Sequence, residues 1–481
     1  MARPAKVTDE RELKLGIPPD FRLPELQGER LDPRTFTSIY YDTADYRLAG
    51  AGITLRRRVQ GKDGVWQLKL PSKNERRELE FPGGSTVPHD IQRLLLAHVR
   101  GRDLVSIAQL RTRRVGMRVT EGAEDLADVV VDSVSVLDGA RVVRRFSELE
   151  IELINGDENV LSRLEATLRE AGACDGDPRP KVFKALALEL PVSSDSISAA
   201  SPSIEHLKHM LWQQCRIMLA HDPGTRLGAD PEDLHEMRVA VRRMRGFLRS
   251  ARAMLQSEWV EGLRAELKWL GSILGPVRDL DVQMERFRSE FSTLTLPERR
   301  ALSHLIKLLE PERTKVRNAM LEAMQSPRYF KLLDDLDVAT RTPRVVDPAV
   351  PLKKIAAKEF KKLRRSVKAL GANPSDAALH RVRIKTKRAR YAAELAGAAV
   401  GKSAVGFARR SKAVQDVLGR HQDGVVIEDR LRKLLNQTES PVAALTVGRL
   451  IERQAARRRA ARQTWKDEWK KLKTYGQRAW A

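Results

Sequence analysis

The chain changes its hydrophobic period once, and that change decides what it can fold into. Up to about residue 190, short segments alternate apolar and polar residues: ERELKL, SIYYDT, ITLRRRV, VWQLKL, RRELEF, RRVGMRV, VVVDSV and SELEIELI. Turn signals such as GKDG at 61–64 and PGG at 82–84 separate them. About eight strands, with LSRLEATLREAG at 161–172 the clearest helix, predict a closed antiparallel barrel or sandwich. From Ile204 onward the period is about 3.6, in long amphipathic segments broken by Pro and Gly, which predicts an almost wholly α-helical half. Between the two, Leu190 to Ile204 (LPVSSDSISAASPSI) is rich in Ser and small residues and has no amphipathic period, so it reads as a linker. The expected organisation is therefore an α+β multidomain chain: 1–190, a linker at 191–203, and an all-α domain at 204–481.

The helical half contains an internal repeat. LHEMRVAVRRMR begins at Leu234 and LHRVRIKTKRAR at Leu379; each copy is followed by a leucine-glycine turn and an aspartate, LGPVRDLDV around Asp279 and LGRHQDGVV around Asp423. His235 to Asp279 spans 44 positions and His380 to Asp423 spans 43. Matched spacing over that distance points to duplication, with repeats at about 204–340 and 350–481 forming two helical bundles.

Charge follows the same boundary. Residues 1–203 hold 31 Lys/Arg and 32 Asp/Glu, a net −1, whereas 204–481 hold 57 and 32, a net +25. Such a field attracts nucleic acid, anionic lipid or polyphosphate. Two cysteines, Cys174 and Cys215, make no disulfide framework, and no stretch approaches the ~20 apolar residues of a membrane span. A cytoplasmic setting is expected.

In a strand, residues two apart share a face. Glu10, Glu12 and Lys14 then line one face, as do Arg56 and Arg58, Gln67 and Lys69, Glu78 and Glu80, Arg111 and Arg113, and Glu148, Glu150 and Glu152. The opposite faces carry Leu13, Leu15, Leu55, Leu68, Leu70, Leu79, Leu149, Ile151 and Leu153. A charged face turned to water explains any one such strand; across six strands, with acidic and basic rows kept apart, a polar interior under an apolar, helix-covered exterior is the better account. That interior suits a triphosphate, which needs Lys/Arg for its oxygens and carboxylates for a bridging Mg²⁺ or Mn²⁺.

ERELK resembles the Glu-x-Glu-x-Lys signature of the CYTH superfamily, the triphosphate tunnel metalloenzymes. YYDTADYRLAGAGITLRRR (Tyr40–Arg58) is similar to that family's second block and WQLKLP to its third. The resemblance covers about 1–190 and implies a closed eight-stranded tunnel barrel that hydrolyses inorganic or related triphosphates. It implies metal ligation by Glu10, Glu12, Glu150 and Glu152, with Asp132 a further acidic candidate, and phosphate binding by Lys14, Arg56, Arg58, Lys69, Arg113 and Lys181. Glu10, Glu12 and Lys14 are the expected catalytic group.

In the helical half, His235, Arg238, Arg242, Arg245 and Arg249 are spaced 3, 4, 3, 4, and His380, Arg383, Lys387 and Arg390 are spaced 3, 4, 3. Each set is one stripe on a helix. A solvated basic face explains most such stripes; the same His-headed stripe at repeat-equivalent positions favours a binding surface. No His or carboxylate four residues on completes a metal pair. The segment resembles the CHAD domain, a conserved-histidine α-helical domain often found behind a CYTH domain. The resemblance covers about 204–481 and implies two four-helix bundles whose basic faces bind inorganic polyphosphate, with association to polyphosphate granules. Few aromatics accompany the arginines, whereas single-stranded nucleic-acid binders supply stacking platforms, so nucleic acid is the weaker alternative.

Overall fold

Alternating residues become strands where both faces are accounted for, polar inward and apolar beneath helices. The computed structural model describes residues 6–61, 63–71, 76–188, 197–437 and 439–480, with Asp9, Glu10 and Arg76 described by backbone alone. The chain divides into two compact units, Met1–Ser193 and Ser194–Ala481. Of the expected linker at 191–203, residues 191–196 lie outside the described residues, 197–202 are irregular or turn, and Ser203 already begins the first helix of the second unit.

The first unit runs β1 (Lys6–Glu10), β2 (Glu12–Gly16), β3 (Gly28–Asp42), α1 (Arg47–Gly50), β4 (Thr54–Gln60), β5 (Asp63–Pro71), β6 (Arg76–Pro82), α2 (His89–Val99), β7 (Val105–Glu121), β8 (Glu124–Asp138), β9 (Arg141–Leu153), α3 (Glu158–Glu170), β10 (Cys174–Asp175) and α4 (Lys181–Leu186). The strands form one sheet in the order β1-β6-β5-β4-β3-β7-β8-β9-β2-β10, antiparallel in every described pair.

This corrects the expected closed eight-stranded barrel. The hydrogen-bonded order is ten strands with β1 and β10 at its edges. Arg11 interrupts what the sequence suggested was one strand: β1 pairs with β6, and one residue later β2 pairs with β9. The two halves of that segment thus hold opposite ends of the sheet without a ladder between them.

The outward faces are apolar as expected. Leu15, Leu149 and Ile151 join Leu164 and Leu168 of α3 in one outer core, whereas Tyr40, Leu110 and Val134, in the inward parity of Ser38, Thr112 and Asp132, join Val182 and Phe183 of α4 in a second core on the inner face. Leu55, Leu68 and Leu79 are fully buried. α3 starts cleanly because the Asp157 carboxylate accepts from the Asn159 and Val160 amides.

The second unit runs α5 (Ser203–Ala220), α6 (Asp222–Leu227), α7 (Pro231–Ser250), α8 (Ser257–Arg288), α9 (Leu296–Lys307), α10 (Glu310–Ala323), α11 (Pro327–Arg341), α12 (Leu352–Lys368), α13 (Asp376–Leu395), α14 (Gly397–Val400), α15 (Lys402–Leu435) and α16 (Pro441–Trp480). The two repeat helices begin alike: Asp230 caps α7 by accepting from the Glu232 amide, and Ser375 caps α13 by accepting from Ala378. In the first repeat α5 lies on α7, α7 on α8, α8 on α11 and α11 on α5; in the second α12 lies on α13, α13 on α15, α15 on α16 and α16 on α12. α7 and α13 also pack on each other. A further core joins the ends of α8 and α15 to α9 and α16 through Phe287, Leu305, Leu431 and Val447. Among the described residues no helix is long and apolar enough to cross a membrane.

Candidate functional sites

A cavity of about 430 Å³ lies on the inner face of the sheet, lined by residues of β1 to β9 and of α4. Strand parity puts Glu12 and Lys14 of β2, Arg56 and Arg58 of β4, Lys69 of β5, Asp132 of β8, Glu150 and Glu152 of β9 and Lys181 of α4 on its wall. Every one of these is a residue singled out from sequence. Two expectations fare differently. The side chain of Glu10 lies outside the described residues. Arg113 is exposed on the outer face, and Arg114 takes the inward place. The reason is register: Arg114 pairs across the ladder with Asp132, whose side chain points in.

The deepest part is a network of buried charges. Arg114 donates Nε and Nη2 to the two carboxylate oxygens of Asp132 at 2.8 Å each, and reaches Glu150 at 2.8 Å and Glu152 at 3.0 Å. Lys181 meets Asp132 at 2.9 Å, Glu148 at 2.7 Å and Glu150 at 2.9 Å. Lys14 pairs with Glu150 and lies 3.5 Å from Glu12, and Lys184 holds the other oxygen of Glu148 at 2.5 Å. Burial alone would raise the Glu150 pKa, but Lys181, Lys14 and Arg114 hold the carboxyl well below its ordinary value. Burial likewise opposes the charge on Lys181, and Glu150, Asp132 and Glu148 overcome it, so the ammonium is held well above its ordinary pKa.

The facing wall is more basic. Burial, then Arg56, Arg114 and Arg34, push the Arg58 guanidinium down to about 10, and its carbon lies 3.8 Å from the centroid of the Phe36 ring. Arg56 donates to Gln67 at 2.8 Å and to the Tyr40 hydroxyl at 3.3 Å; Gln67 donates to Glu80 at 2.8 Å. Lys69 pairs with Glu78 at 3.0 Å. Acidic and basic rows are therefore less separated than their strands suggested: Glu78 and Glu80 brace the basic wall, and Lys14, Arg114 and Lys181 sit among the carboxylates. Glu78, Glu80, Gln67 and Tyr40 were not singled out as site residues. The period-two row Glu78/Glu80 was the available signal.

Two groups of carboxylates bring ligand oxygens within 4.8 Å of one another: Glu12, Glu150 and Glu152, and Asp132, Glu148 and Glu150. All-oxygen donor sets suit hard divalent cations such as Mg²⁺ or Mn²⁺.

In the helical unit, all nine stripe residues are half-buried rather than exposed, which a solvated face would not produce. The packing of α7 on α13 brings Arg238, Arg242, Arg383 and Lys387 into one electrostatic neighbourhood with Asp423. Burial first, and then Arg383, Arg242 and Arg238, push Lys387 down to about 7. The repeat is visible in detail: Arg238 pairs with Asp279 at 2.7 Å, and Asp423 is the main charge favouring the guanidinium of Arg383. The guanidinium of Arg238 also lies beside Gly275, and that of Arg383 beside Gly419.

The stripes do not act as units. Arg390 is held by Glu394 at 2.7 Å, Arg245 faces Arg264, and Arg249 faces Arg388 and Glu359. His380 hydrogen-bonds Gln422 at 2.9 Å, and burial and Arg278 hold His235 below its ordinary pKa. Asp423 and Arg286 belong to the cluster and were not among the predicted binding residues.

Comparison with known proteins agrees with this division. Residues 9–177 match the family model of the CYTH domain and residues 209–432 that of the CHAD domain. Two uncharacterised proteins of Mycobacterium tuberculosis, from strains CDC 1551 and H37Rv, are each 29% identical over 470 residues, spanning 90% of this chain and 86% of theirs. Among solved structures, PptA from Streptomyces chartreusis is 24% identical with a TM-score of 0.49, covering 56% of this chain and 100% of that one. The CHAD domain from the plant Ricinus communis is 26% identical with a TM-score of 0.47, covering 58% and 93%. A Hippeastrum protein described as having a dominant triphosphatase activity is 19% identical with a TM-score of 0.27, covering 38% and 98%. With both family models matched in order along one polypeptide, the chain is a CYTH domain followed by a CHAD domain.

Proposed function

We propose that the first unit is a metal-dependent triphosphatase acting on inorganic triphosphate or a close relative, and that the basic cluster of the helical unit binds inorganic polyphosphate. The observation that carries the first part is the cavity itself. One space of about 430 Å³ holds Lys14, Arg56, Arg58, Lys69, Arg114 and Lys181 together with Glu12, Glu150 and Glu152. A triphosphate needs both sets at once, and its hydrolysis depends on positioning and charge neutralisation rather than covalent help.

Glu12, Glu150 and Glu152 would hold the cation; when bound, it supplies charge screening and a more acidic water. The remaining work falls to the chain. Arg56 and Lys69 are oriented by Gln67, Glu80 and Glu78 before substrate arrives, so little reorganisation is needed when phosphate oxygens meet them. Arg58, crowded by other guanidiniums, gains a counter-charge from the phosphates. In the helical unit, Arg238, Arg242, Arg383 and Lys387 carry more positive charge than Asp279 and Asp423 balance. A flexible polyanion lacking bases suits that cluster.

The test is phosphate release from inorganic triphosphate, ATP and long-chain polyphosphate, each with Mg²⁺, Mn²⁺ or chelator. Metal-dependent release mainly from triphosphate is expected. No release from any of them, with polyphosphate still bound, would leave a non-catalytic polyphosphate-binding protein.

A further inference from the structure

The two carboxylate groups in the cavity share Glu150 but differ in how their oxygens are already used. In the group Glu12, Glu150 and Glu152, the Glu152 side chain is 37% exposed and that of Glu12 is 13% exposed. In the group Asp132, Glu148 and Glu150, the side chains are 0%, 3% and 3% exposed. Both oxygens of Asp132 are taken by the fork of Arg114, and one of them also by Lys181. Glu148 is divided between Lys181 and Lys184. Lys14, Arg114, Lys181 and Lys184 thus set four positive charges on three carboxylates.

A divalent cation entering that group would join an environment already net positive, and would have to displace a bidentate guanidinium and an ammonium into a dry interior. Mg²⁺ and Mn²⁺ also retain water ligands, which a fully buried aspartate with no free oxygen does not accommodate. The more open group is braced as well, with Lys14, Lys181 and Arg114 on Glu150 and Arg114 on Glu152 at 3.0 Å. Those three cations face three carboxylates rather than outnumbering them, and the 37% exposure of Glu152 admits the water that such a cation keeps.

We propose that Asp132 is not a metal ligand but a positioning residue: it seats Arg114 and Lys181 in the cavity as phosphate-binding cations, and the metal is taken by Glu12, Glu150 and Glu152. This rests on the triphosphate reading above and assigns Asp132 a role different from the metal ligation expected from sequence. Simple charge counting makes the opposite forecast for substrate, since removing a carboxylate beside a polyanion site should favour the polyanion. Loss of the seat instead lets Lys181 and Arg114 collapse onto Glu148, Glu150 and Glu152.

The experiment measures two affinities on the full chain: Mn²⁺ without triphosphate, by electron paramagnetic resonance, and inorganic triphosphate in excess chelator, by calorimetry. D132N is expected to keep Mn²⁺ affinity and to lose triphosphate affinity about tenfold, with D132E restoring part of it. E152Q is expected to do the reverse, losing Mn²⁺ while metal-free triphosphate binding persists. K181M, which leaves Asp132 paired with the fork of Arg114, should weaken triphosphate without weakening Mn²⁺. The double variant D132N/K181M should be no worse than the weaker single variant, because the two act as one unit.

Loss of Mn²⁺ in D132N comparable to that in E152Q would make Asp132 a ligand and overturn the proposal. Unchanged or tighter metal-free triphosphate binding in D132N would overturn it as well. If D132N does not fold, K181M decides: intact metal-free triphosphate binding in that variant overturns the proposal. A wild-type chain binding neither Mn²⁺ nor triphosphate would instead remove the triphosphatase reading, and this inference with it.

Discussion

Lys387 shows how a single residue can couple the helical unit to pH. Buried beside Arg383, Arg242 and Arg238, with Asp423 only partly opposing them, its ammonium titrates at about 7 instead of 10.5. A polyanion in the cluster favours the charged form, so polyphosphate affinity should fall as pH rises through about 7, by about tenfold for each unit by which the bound polyanion raises the pKa. K387M should lack that step, and K387R, charged throughout, should flatten the profile; titration of binding from pH 6 to 9 checks this. The stability effect has the opposite sign. Because the folded pKa lies below 10.5, the unfolded chain holds the proton more tightly, and this group's contribution to stability rises between about pH 7 and 10.5. Arg113 and Arg114 make a second residue-scale test. R114Q should lower triphosphatase kcat/KM on the order of 100-fold, as for loss of one preorganised donor, while R113Q should leave it unchanged; a melting curve for each separates activity from folding. Sequence could not choose between them. β7 carries arginines of both parities, at 111, 113, 114 and 118, and only the pairing of Arg114 with Asp132 decides which face looks inward.

At the scale of elements, the seam between α7 and α13 turns duplication into a shared basic cluster, and it depends on one glycine. A Cβ on Gly246 would lie 2.3 Å from Cδ2 of the Tyr391 ring, and the Tyr391 hydroxyl accepts from Arg242 Nε at 3.3 Å. G246A gains about 1 kcal/mol of helix propensity but must push that ring away, an overpacking cost of about 1–3 kcal/mol. Net destabilisation and weaker polyphosphate binding are expected. In a Y391A background the same substitution should add no destabilisation, which a denaturant midpoint series would read directly. Most elements of both units were legible because strand and helix periods differ and because caps such as Asp230 and Ser375 precede their helices. The closure of the sheet was not. A break at Arg11 leaves the residue alternation of ERELKL looking continuous, so nothing in the pattern separates one strand from two half-strands on opposite ends of a sheet. The cavity wall was legible where a residue type, a parity and a motif agreed, as at Glu12, Arg56 and Lys69. At Glu78, Glu80 and Gln67 the parity gave the place on the wall but not the role, which is to hold a neighbour.

At the scale of the whole chain, the charge boundary and the structural boundary coincide. The two compact units are Met1–Ser193 and Ser194–Ala481, and all of the net charge of +24 belongs to the second. If each unit carries its own ligand chemistry, the two activities should separate on cutting and should differ in their response to salt. Polyphosphate binding by a fragment of 204–481 should weaken linearly on a log–log plot against salt, because binding a highly charged chain releases its counterions. Hydrolysis of triphosphate by a fragment of 1–193 should be less sensitive between 50 and 200 mM salt, since Lys14, Arg114 and Lys181 act from a buried site where screening over a Debye length of ~10 Å is weak. Retention of both properties by the separate fragments, with the steep salt slope confined to the helical one, would make the helical unit an anchor or reservoir beside an autonomous enzyme. Loss of triphosphatase activity in a folded 1–193 fragment, restored by adding 204–481 in trans, would mean that the helical unit contributes to catalysis itself, and a division of labour along the charge boundary would have to be abandoned.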